Sequence, residues 1–436
     1  MKLSFKIHRG TKEIGGSCVE VWTKNTRILL DFGMPLVEKN GKEFDFGKYK
    51  SLKPSELIKK GILPNIKGLY ENSDSVIDGV IISHPHKDHF GLSNFINDDV
   101  QYYLGEATHK IIELNNLFTP QEIHLQNINY FKKEKIFKIG DISITPYWAD
   151  HSAFDSYSFL VEANGKSLFY SGDFRSHGRK GKVFYWFTHN APENVDYLLL
   201  EGTTIGRSNK PFKKEKEIED ELTELFKEKN KINLIYTSGQ NIDRLTSIYK
   251  ACKRTGKIFV VDVYVAKVLK DLSKYAKIPY PSESFKNIKV MFPGYASDRL
   301  KKEGNKKILY EFKKFKTKKE EISNQSENIV MIVRPSMQKD LERIKGIEGG
   351  NLVYSMWKGY LQKSNTKKFI DYLEQRKFTL HKIHTSGHAD INTLKKMVVA
   401  IKPKYIVPIH TFEGGKYKDI FKEPIVELKD GEIQNI

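Results

Sequence analysis

The chain has 436 residues, of which 39% are hydrophobic and 12% aromatic, a composition typical of folded globular proteins and long enough for two domains. No apolar run reaches the roughly 18 residues that a membrane-spanning helix needs, and "MKLSFKIHRG" lacks a signal-peptide core, so we expect no membrane partner. Only Cys18 and Cys252 are present, which argues against a disulfide framework and favours a reducing, cytoplasmic location.

The formal net charge is +19 at pH 7. A basic surface attracts polyanions such as nucleic acids. The alternative is a lysine-rich surface that is merely solvated, and tracts such as "KKFKTKKEE", which mix both signs, favour it locally. Charge alone leaves both interpretations open.

The predicted elements change character along the chain. Up to about residue 205, short strands with turn punctuation dominate, among them "KLSFKIH", "CVEVWT", "RILLDFG", "GVIIS", "ISITPYWA", "SYSFLVEA", "SLFYSGD" and "DYLLLEG". From about residue 212, the helix pattern "EIEDELTELFKEK" leads into alternating strands and helices ("INLIYTSGQ", "NIDRLTSIYKACKRTG", "KIFVVDV", "NIVMIVRP", "NLVYSMW"), which is typical of a parallel α/β unit. The stretch "KKEEISNQSEN" predicts an exposed loop, and a strand, loop, helix and strand follow residue 365.

The stretch "IISHPHKDHFG" concentrates potential metal ligands directly after a buried strand. His84, His86, Asp88 and His89 lie within six positions of the loop. Imidazole and carboxylate are ligands that zinc accepts, whereas a structural zinc is usually closed by cysteines, and none is near. The loop therefore predicts an open, catalytic metal centre.

Three further strand ends carry candidate ligands: His151 in "YWADHS", Asp173 in "YSGDFR" and His410 in "YIVPIHT". Alone, each is more often a turn residue, but together with the histidine-rich loop they complete a dinuclear site. We assign His84, His86 and His151 to one ion. We assign Asp88, His89 and His410 to the other ion, and we expect Asp173 to bridge the two. Two ions about 3.5–4 Å apart activate a hydroxide for hydrolysis of phosphodiesters, and also of some esters, lactones and amides. The ligands suit Zn²⁺, and also Mn²⁺.

These ordered motifs resemble those of the metallo-β-lactamase superfamily, and "KEIGGSCVEVWTKNTRILLDFG" resembles its N-terminal region. The later α/β region resembles the insertion of the β-CASP subgroup, and "TSGHADINTLKKMVVAIKPKYIVPIHT" is similar to the corresponding stretch of the ribonuclease J family. The resemblance implies an αββα sandwich formed by residues 1–205 and 366–436, with a parallel α/β β-CASP domain inserted at 206–365. It also implies that Asp31 supports the metal loop through hydrogen bonds, although a simple strand-end turn explains Asp31 equally well.

Members of the β-CASP subgroup are nucleases, and three positions match its extra motifs: Glu201, His388 and His410. The resemblance implies that Asp88 and Asp173 orient the hydroxide and that His388 contacts the scissile phosphate, with Glu201 fixing its tautomer. A histidine at the third motif is associated with RNA-processing members. We therefore expect single-stranded RNA as substrate, cut as a 5′ exonuclease, an endonuclease or both, with DNA as the alternative.

A second loop, "IYTSGQNIDRLTSIYK", predicts a helix that begins at or just after Asn241, whose N-terminus suits a phosphate. It resembles the Thr-Gly-Ser-Gln loop of ribonuclease J with Ser and Gly exchanged. We expect phosphate contacts from this loop and from the "TSGH" loop, namely from Ser238, Gly239, Gln240, Ser386, Gly387 and His388. An ordinary strand–helix turn is an equally good explanation of the first loop.

Other readings stay open. In "SMWKGY", Trp357 or Tyr360 suits base stacking, whereas core packing is the commoner role of such aromatics. A DNA-directed nuclease, a small-molecule metallo-hydrolase such as a lactonase or thioesterase, and a non-catalytic RNA-binding protein are the alternative functions. Only residues 411–436 follow His410, too few for the further domain of ribonuclease J, so we expect a monomer or a homodimer.

Overall fold

A computed structural model describes residues 2–38, 41–70, 76–119, 122–207, 210–228 and 231–436. Its strands are, in chain order, β1 (Ser4–Arg9), β2 (Cys18–Trp22), β3 (Arg27–Leu30), β4 (Gly79–Ile81), β5 (Tyr102–Leu104), β6 (Ile128–Tyr130), β7 (Phe137–Ile139), β8 (Ile142–Ala149), β9 (Ser156–Ala163), β10 (Lys166–Tyr170), β11 (Tyr197–Glu201), β12 (Asn233–Tyr236), β13 (Ile258–Asp262), β14 (Ile288–Met291), β15 (Ile329–Val333), β16 (Asn351–Tyr354), β17 (Thr379–Lys382), β18 (Tyr405–Ile409) and β19 (Ile433–Asn435).

The α-helices are α1 (Pro54–Lys59), α2 (Lys87–Phe90), α3 (Glu106–Phe118), α4 (Gly181–Asn190), α5 (Glu215–Phe226), α6 (Ile242–Thr255), α7 (Val263–Leu272), α8 (Gly294–Lys302), α9 (Lys306–Glu311), α10 (Lys319–Asn324), α11 (Gln338–Leu341), α12 (Ser364–Gln375), α13 (Ile391–Ile401) and α14 (Tyr417–Ile420). No helix among the described residues is both long and apolar enough to cross a membrane.

The chain divides into two compact units. The first comprises Met1–Glu113, Ile123–Pro211 and Gly387–Ile436, and the second comprises Leu114–Glu122 and Phe212–Ser386. The second boundary lies beyond the expected 365/366 because α12 and β17 complete the sheet of the inserted unit rather than returning to the first.

The first unit is a sandwich of two sheets. Their strand orders are β19-β1-β2-β3-β4-β5-β6 and β18-β11-β10-β9-β8-β7. Alternate residues of both sheets, such as Phe5 and Val19 from one and Ile144, Phe159 and Leu199 from the other, form one fully buried core, as the period of two in a strand requires.

Each sheet of the sandwich buries its other face under helices and loops. Leu29 and Val80 of the first sheet pack with Leu57 of α1 and Ile112 of α3. On the second sheet, residues of β10 and β11 pack with Phe184 and Phe187 of α4 and with residues of α13. The result is the predicted αββα layering, so the predicted fold class is confirmed.

The second unit contains one parallel sheet with the order β14-β13-β15-β12-β16-β17. Its central strands, such as "IVMIV" in β15, are buried at every residue, as expected when helices cover both faces. Leu234 and Met331 face a cluster with Leu341 of α11 and Phe369 of α12, while α6 and α7 pack on β13. This is the inserted parallel α/β unit that the pattern predicted.

The loop prediction for "KKEEISNQSEN" was wrong. Helix α10 forms within this stretch because Glu321 accepts a hydrogen bond from the backbone N–H of Lys318, and because Ile322 is fully buried in the core of the second unit. One apolar residue among eleven gives no visible helical period, so tertiary packing decided this element.

A buried ion pair holds the start of α5 to α6 in the second unit. The guanidinium of Arg244 and the carboxylate of Glu215 lie 2.9 Å apart between Nη2 and Oε1, and both side chains are fully buried. Arg244 also donates to the Ser355 hydroxyl, which in turn donates to the carbonyl of Ile383 at 2.6 Å. The pair therefore fixes the loops that follow β16 and β17.

Replacing Arg244 with Ala leaves the Glu215 carboxylate buried without its cation. We expect Arg244→Ala to lower the free energy of unfolding by about 3–5 kcal/mol, measured by urea unfolding followed by circular dichroism. The matched control is Lys216→Ala, which removes an exposed ion pair to Asp220. Equal, small effects of both substitutions would contradict this role of Arg244.

Candidate metal centre

The histidine-rich loop leaves β4 and closes on itself through the short helix α2. His86 stands at the N-terminal end of α2, and Asp88 and His89 lie inside it. The loop packs directly on Gly33, where a Cβ atom would lie 1.7 Å from the carbonyl oxygen of Asp88. The same oxygen accepts a hydrogen bond from the backbone of Ser17 at 3.0 Å. Glycine at position 33 therefore allows the histidine-rich loop to pack closely against the segment that follows β3.

The remaining candidate ligands meet at one edge of the second sheet. Strands β10, β11 and β18 are parallel neighbours, so their carboxyl ends lie side by side. Glu201 ends β11 in register with Ile409, and His410 follows directly. Asp173 follows β10, and His151 follows β8.

The structure brings every predicted metal ligand together. Four groups each offer one ligand atom per residue, all within 4.8 Å of one another: His84, His86 and His151; Asp88, His89 and His410; His84, His89 and Asp173; and Asp173, Glu201, His388 and His410. The first two groups are the two predicted ligand sets, and Asp173 lies next to members of both. Asp173 therefore lies between two adjacent groups of candidate metal ligands.

Three of the histidines are oriented by a partner on Nδ1. His84 Nδ1 lies 3.0 Å from the Ser83 hydroxyl, His89 Nδ1 lies 2.7 Å from Asp31, and His410 Nδ1 lies 2.9 Å from the Thr203 hydroxyl. In each ring this leaves Nε2 facing the interior of the site. Partners of this kind fix the tautomer and orientation of metal-binding histidines.

Asp31 anchors the contacts of His84 and His89, the first through Ser83 and the second directly. Its Oδ1 accepts from the Ser83 backbone at 2.7 Å, and its Oδ2 accepts from Ser83 Oγ, Tyr170 Oη and His89 Nδ1 at 2.7–2.8 Å. Asp31 is fully buried and its φ of 61° lies in the left-handed region. An unfavourable backbone conformation persists only where its surroundings hold it, and here four hydrogen bonds do so.

Burial and neighbouring charge set the protonation of the ligands. Burial holds the pKa of His84 and of His151 well below the ordinary value, and lowers that of His86 to about 4. Burial also opposes a charge on His89, but Asp173 and Asp31 outweigh it and raise its pKa well above the usual range. Burial raises the pKa of Asp173, yet the surrounding imidazoles hold it well below its usual value. The site thus favours neutral imidazoles at His84, His86 and His151 beside the ionised carboxylate of Asp173, as metal binding requires, whereas His89 has to release a proton when an ion binds.

Within the described residues, several buried atoms of this cluster have no hydrogen-bond partner: Nε2 of His84, His89 and His410, and both carboxylate oxygens of Asp173. His89 Nε2 lies 3.2 Å from Asp173 Oδ2, but the pair lacks the geometry of a hydrogen bond. Leaving so many buried polar atoms unsatisfied is costly unless another group satisfies them. Nitrogen and carboxylate donors converging on one place fit a divalent cation.

His388 and Glu201 form a pair at the edge of the cluster. His388 Nδ1 lies 3.3 Å from Glu201 Oε2, and its side chain is 22% exposed, whereas the metal-cluster histidines His84, His89 and His151 are buried. Glu201 is itself held by the backbone N–H groups of Phe174 and Thr203 at 3.3 and 3.2 Å. Burial opposes protonation of His388, but Glu201 and then Asp173 outweigh it and raise its pKa. An accessible imidazole, whose protonated form Glu201 favours, thus lies beside the candidate metal ligands.

The two predicted phosphate loops differ in their surroundings. Asn241 caps α6, which begins at Ile242, so the predicted helix start is confirmed. The amide nitrogen of Gln240, however, donates hydrogen bonds to Asn115 Oδ1 and to Tyr264 Oη within the second unit. Gly387 lies against the loop of His151, since a Cβ there would come 2.5 Å from Ser152 Oγ. Phosphate contacts by Ser238, Gly239, Gln240, Ser386 and Gly387 stay predictions.

Sequence reasoning missed the residues that orient the ligands. These are Ser83, Tyr170 and Thr203, together with the fully buried ion pair Arg175–Asp150 (3.3 Å), which joins the residue before His151 to the loop after Asp173. Only the position of Asp150 and Arg175 beside ligands in "WADHS" and "GDFRSHG" gave a signal. Hydroxyl groups at strand ends carry no distinctive pattern.

Comparison with known proteins agrees with this geometry. Residues 67–211 match the beta-lactamase superfamily domain, and residues 374–414, which include His388 and His410, match the Zn-dependent metallo-hydrolase RNA specificity domain. Over these ranges the chain resembles metallo-β-lactamase-type metallo-hydrolases, and over most of its length it resembles ribonuclease J. The chain is 23% identical to "Ribonuclease J" of Helicobacter pylori (strain ATCC 700392 / 26695), over 97% of the chain.

Another relative and one solved structure show the same resemblance. "Ribonuclease J 2" of Streptococcus pyogenes serotype M3 is 21% identical, covering 97% of the chain and 74% of the relative. A crystal structure of a protein of unknown function from Enterococcus faecalis V583 has a TM-score of 0.78 at 20% identity, covers all of both chains, and shows the fold. The chain spans 57% of the length of the Helicobacter ribonuclease J.

The negative charge of Asp31 orients the imidazole of His89 through a hydrogen bond, so removing this charge should lower the affinity for metal. We expect Asp31→Asn to weaken zinc binding about 10- to 100-fold, since outer-shell partners of metal-bound histidines have effects of this size. Competition with a chromogenic chelator measures this. Asp98→Asn, at an exposed position, is the control. Unchanged affinity in a folded Asp31→Asn protein would contradict the role.

Proposed function

We propose that the protein is a metal-dependent ribonuclease that hydrolyses phosphodiester bonds of single-stranded RNA. The observation that carries this proposal is the set of buried, unpartnered donor atoms around Asp173, beside the partly exposed His388. A binding protein needs no such cluster, since desolvated ligands of this kind are destabilising without a cation.

Two divalent ions fit the two ligand groups, and Zn²⁺ suits their imidazole and carboxylate donors, with Mn²⁺ as the alternative. Such ions activate water and neutralise the charge of a phosphodiester undergoing displacement. The protein's part is to position them: the imidazoles of one group stay neutral through burial, and Asp173 and Asp88 provide the negative charge. We assign Asp88 and Asp173 to holding and orienting the attacking water.

His388 suits the general acid or the phosphate-binding group. It is more accessible than the metal ligands His84, His89 and His151, and Glu201 favours the protonated ring. A proton on the imidazole serves either to hydrogen-bond a non-bridging phosphate oxygen or to protonate the leaving oxygen. Glu201 touches no reacting atom in this scheme and acts as a positioning residue.

RNA is the proposed substrate for three reasons. The relatives are named as ribonuclease J, and the domain matched by residues 374–414 is described as an RNA specificity domain. The charge of +19 favours a polyanion over a small neutral substrate. Backbone N–H groups at the start of α6, together with Ser238, suit a phosphate of the RNA strand.

The unpaired, buried cysteines are compatible with action in the cytoplasm.

Removing the metal tests the catalytic proposal first. We expect dialysis against a chelator to abolish RNA cleavage, and about two equivalents of Zn²⁺ or Mn²⁺ per chain to restore it, because the donor atoms satisfy two ions. Cleavage rates and elemental analysis measure this. Full activity of protein shown to be metal-free would overturn the proposal.

The roles of Asp88 and His388 are separable by metal content. We expect His388→Ala to lower the cleavage rate constant about 10²- to 10⁴-fold while bound metal is retained, because His388 acts on the substrate. Asp88→Asn should lower both activity and metal content. His189→Ala, at an exposed histidine of α4, is the matched control and should cleave normally. Normal turnover by the Asp88 and His388 variants refutes the assignment.

The substrate and the direction of cleavage follow from one labelled-RNA experiment. RNA labelled at either end and bearing a 5′-monophosphate or triphosphate is incubated with the protein, alongside DNA of equal length. Mononucleotides released from the 5′ end indicate an exonuclease, and internal fragments indicate an endonuclease. Equal cleavage of DNA favours the DNA-directed alternative, and no products with either metal favour a binding protein.

A further inference from the structure

An exposed aromatic surface follows β16 in the second unit. Trp357 is 42% exposed, although the four residues of β16 just before it are fully buried. The chain then turns through a short 3₁₀ helix, Lys358–Gln362, before α12 begins. A tryptophan so exposed contributes little to the core, which was the common alternative for this residue. We call Trp357 and Tyr360 the aromatic shelf.

The shelf is held in a defined position. The carbonyl oxygen of Trp357 accepts from Tyr354 Oη at 3.1 Å and from the backbone N–H of Tyr360 at 3.0 Å. The rings of Trp357 and Tyr360 meet edge to face, with centroids 5.2 Å apart and an interplanar angle of 89°. The six-membered ring of the indole rests on Gly359, where a Cβ would lie 2.3 Å from Cη2 and Cζ3. The exposed indole is thus ordered before any partner binds, which lowers the entropic cost of binding.

Positive charge surrounds the aromatic shelf. Lys363 Nζ lies 4.3 Å from the centroid of the Tyr360 ring, and Lys358 is exposed immediately after Trp357. Lys367 and Lys368 are exposed near the start of α12. Aromatic faces interleaved with lysines match the groove chemistry that binds single-stranded nucleic acid, where bases stack and phosphates pair with cations.

The shelf also lies beside the predicted phosphate loop of the same unit, residues 238–240. Strands β12 and β16 are parallel neighbours with Tyr236 in register with Tyr354. Ser355 N–H donates to the carbonyl of Tyr236 at 2.9 Å, and Thr237 Oγ1 donates to the carbonyl of Ser355 at 3.3 Å. Ser238 and Met356 therefore leave neighbouring strands at the same edge of the sheet, the edge at which parallel α/β sheets bind ligands.

We propose that Trp357 is a base-stacking platform for single-stranded RNA in the second unit. This deepens the proposed ribonuclease function by adding a strand-holding site. The base stacks on the exposed indole, Tyr360 supports the indole from its edge, and the lysines pair with flanking phosphates. Since every base has an aromatic face, the platform accepts RNA without sequence preference.

The test measures RNA affinity without cleavage. Fluorescence anisotropy of a labelled, unstructured RNA oligomer is followed with chelated, catalytically blocked Asp88→Asn protein. We expect Trp357→Ala in this background to raise Kd about 5- to 150-fold, and Trp357→Phe to recover most of the affinity because a ring face is retained. Trp186→Ala, which removes another exposed tryptophan (36%), is the matched control and should leave Kd unchanged.

Two further measurements distinguish the loss of base stacking on Trp357 from a general loss of protein structure. With an abasic oligomer of equal length, Trp357→Ala should not weaken binding, since no base is left to stack. Gly359→Ala keeps the indole but displaces it, and should weaken RNA binding while circular dichroism stays native.

The platform is overturned if Trp357→Ala binds RNA as the parent does, or if it weakens RNA and abasic oligomer equally. It is likewise overturned if sedimentation shows that Trp357→Ala only dissociates an oligomer while RNA affinity persists. Failure of the ribonuclease proposal has a different signature, because the unmodified protein would then bind RNA through Trp357 but release no products with added metal.

Discussion

Desolvated charge around Asp173 is the constraint on which the rest of the site depends. Both oxygens of this buried carboxylate lack a hydrogen bond in the described structure, and four imidazoles from three separate loops face it. In a low-dielectric interior this arrangement is unfavourable until cations satisfy the lone pairs. The fold therefore has to hold ligands whose lone pairs stay unsatisfied, which makes the surrounding contacts as important as the ligands.

Those contacts come from ordinary strand-end chemistry. Asp31, Ser83 and Thr203 each follow or end a strand, and each fixes the Nδ1 side of a ligand ring. His410 itself has a φ of 54°, a conformation costly for a branched ring side chain, held here by a hydrogen bond from its N–H to Gly10 at 2.7 Å. The two sheets of the sandwich share one core, so the strand ends bearing these residues stay in fixed positions.

The second unit is organised by a different constraint. Its parallel sheet is buried on both faces, so polar function is confined to the carboxyl ends of the strands. The buried Arg244–Glu215 pair fixes the loops there, and the aromatic shelf extends beyond them. A parallel α/β sheet thus offers a rigid edge on which a polyanion-binding surface can vary without disturbing the core.

The sequence, with its resemblance to a known family, predicted the fold class, and it predicted the candidate metal ligands that the structure brings together, because strand periodicity, ligand spacing and the order of motifs are local properties of the chain. "HPHKDH" contains four candidate ligands within one loop, and the apolar runs predict that the other candidate ligands lie at strand ends. It also placed the start of α6 correctly at Asn241. Short edge strands such as β6 and β19 and the helix α10 were not visible, since their few apolar residues set no period. Only the tertiary structure showed that the hydroxyl groups of Ser83 and Thr203 contact the imidazoles of His84 and His410. It also showed that Arg175 pairs with Asp150 and that Trp357 is exposed. These depend on contacts between residues far apart in sequence, and no local pattern encodes them.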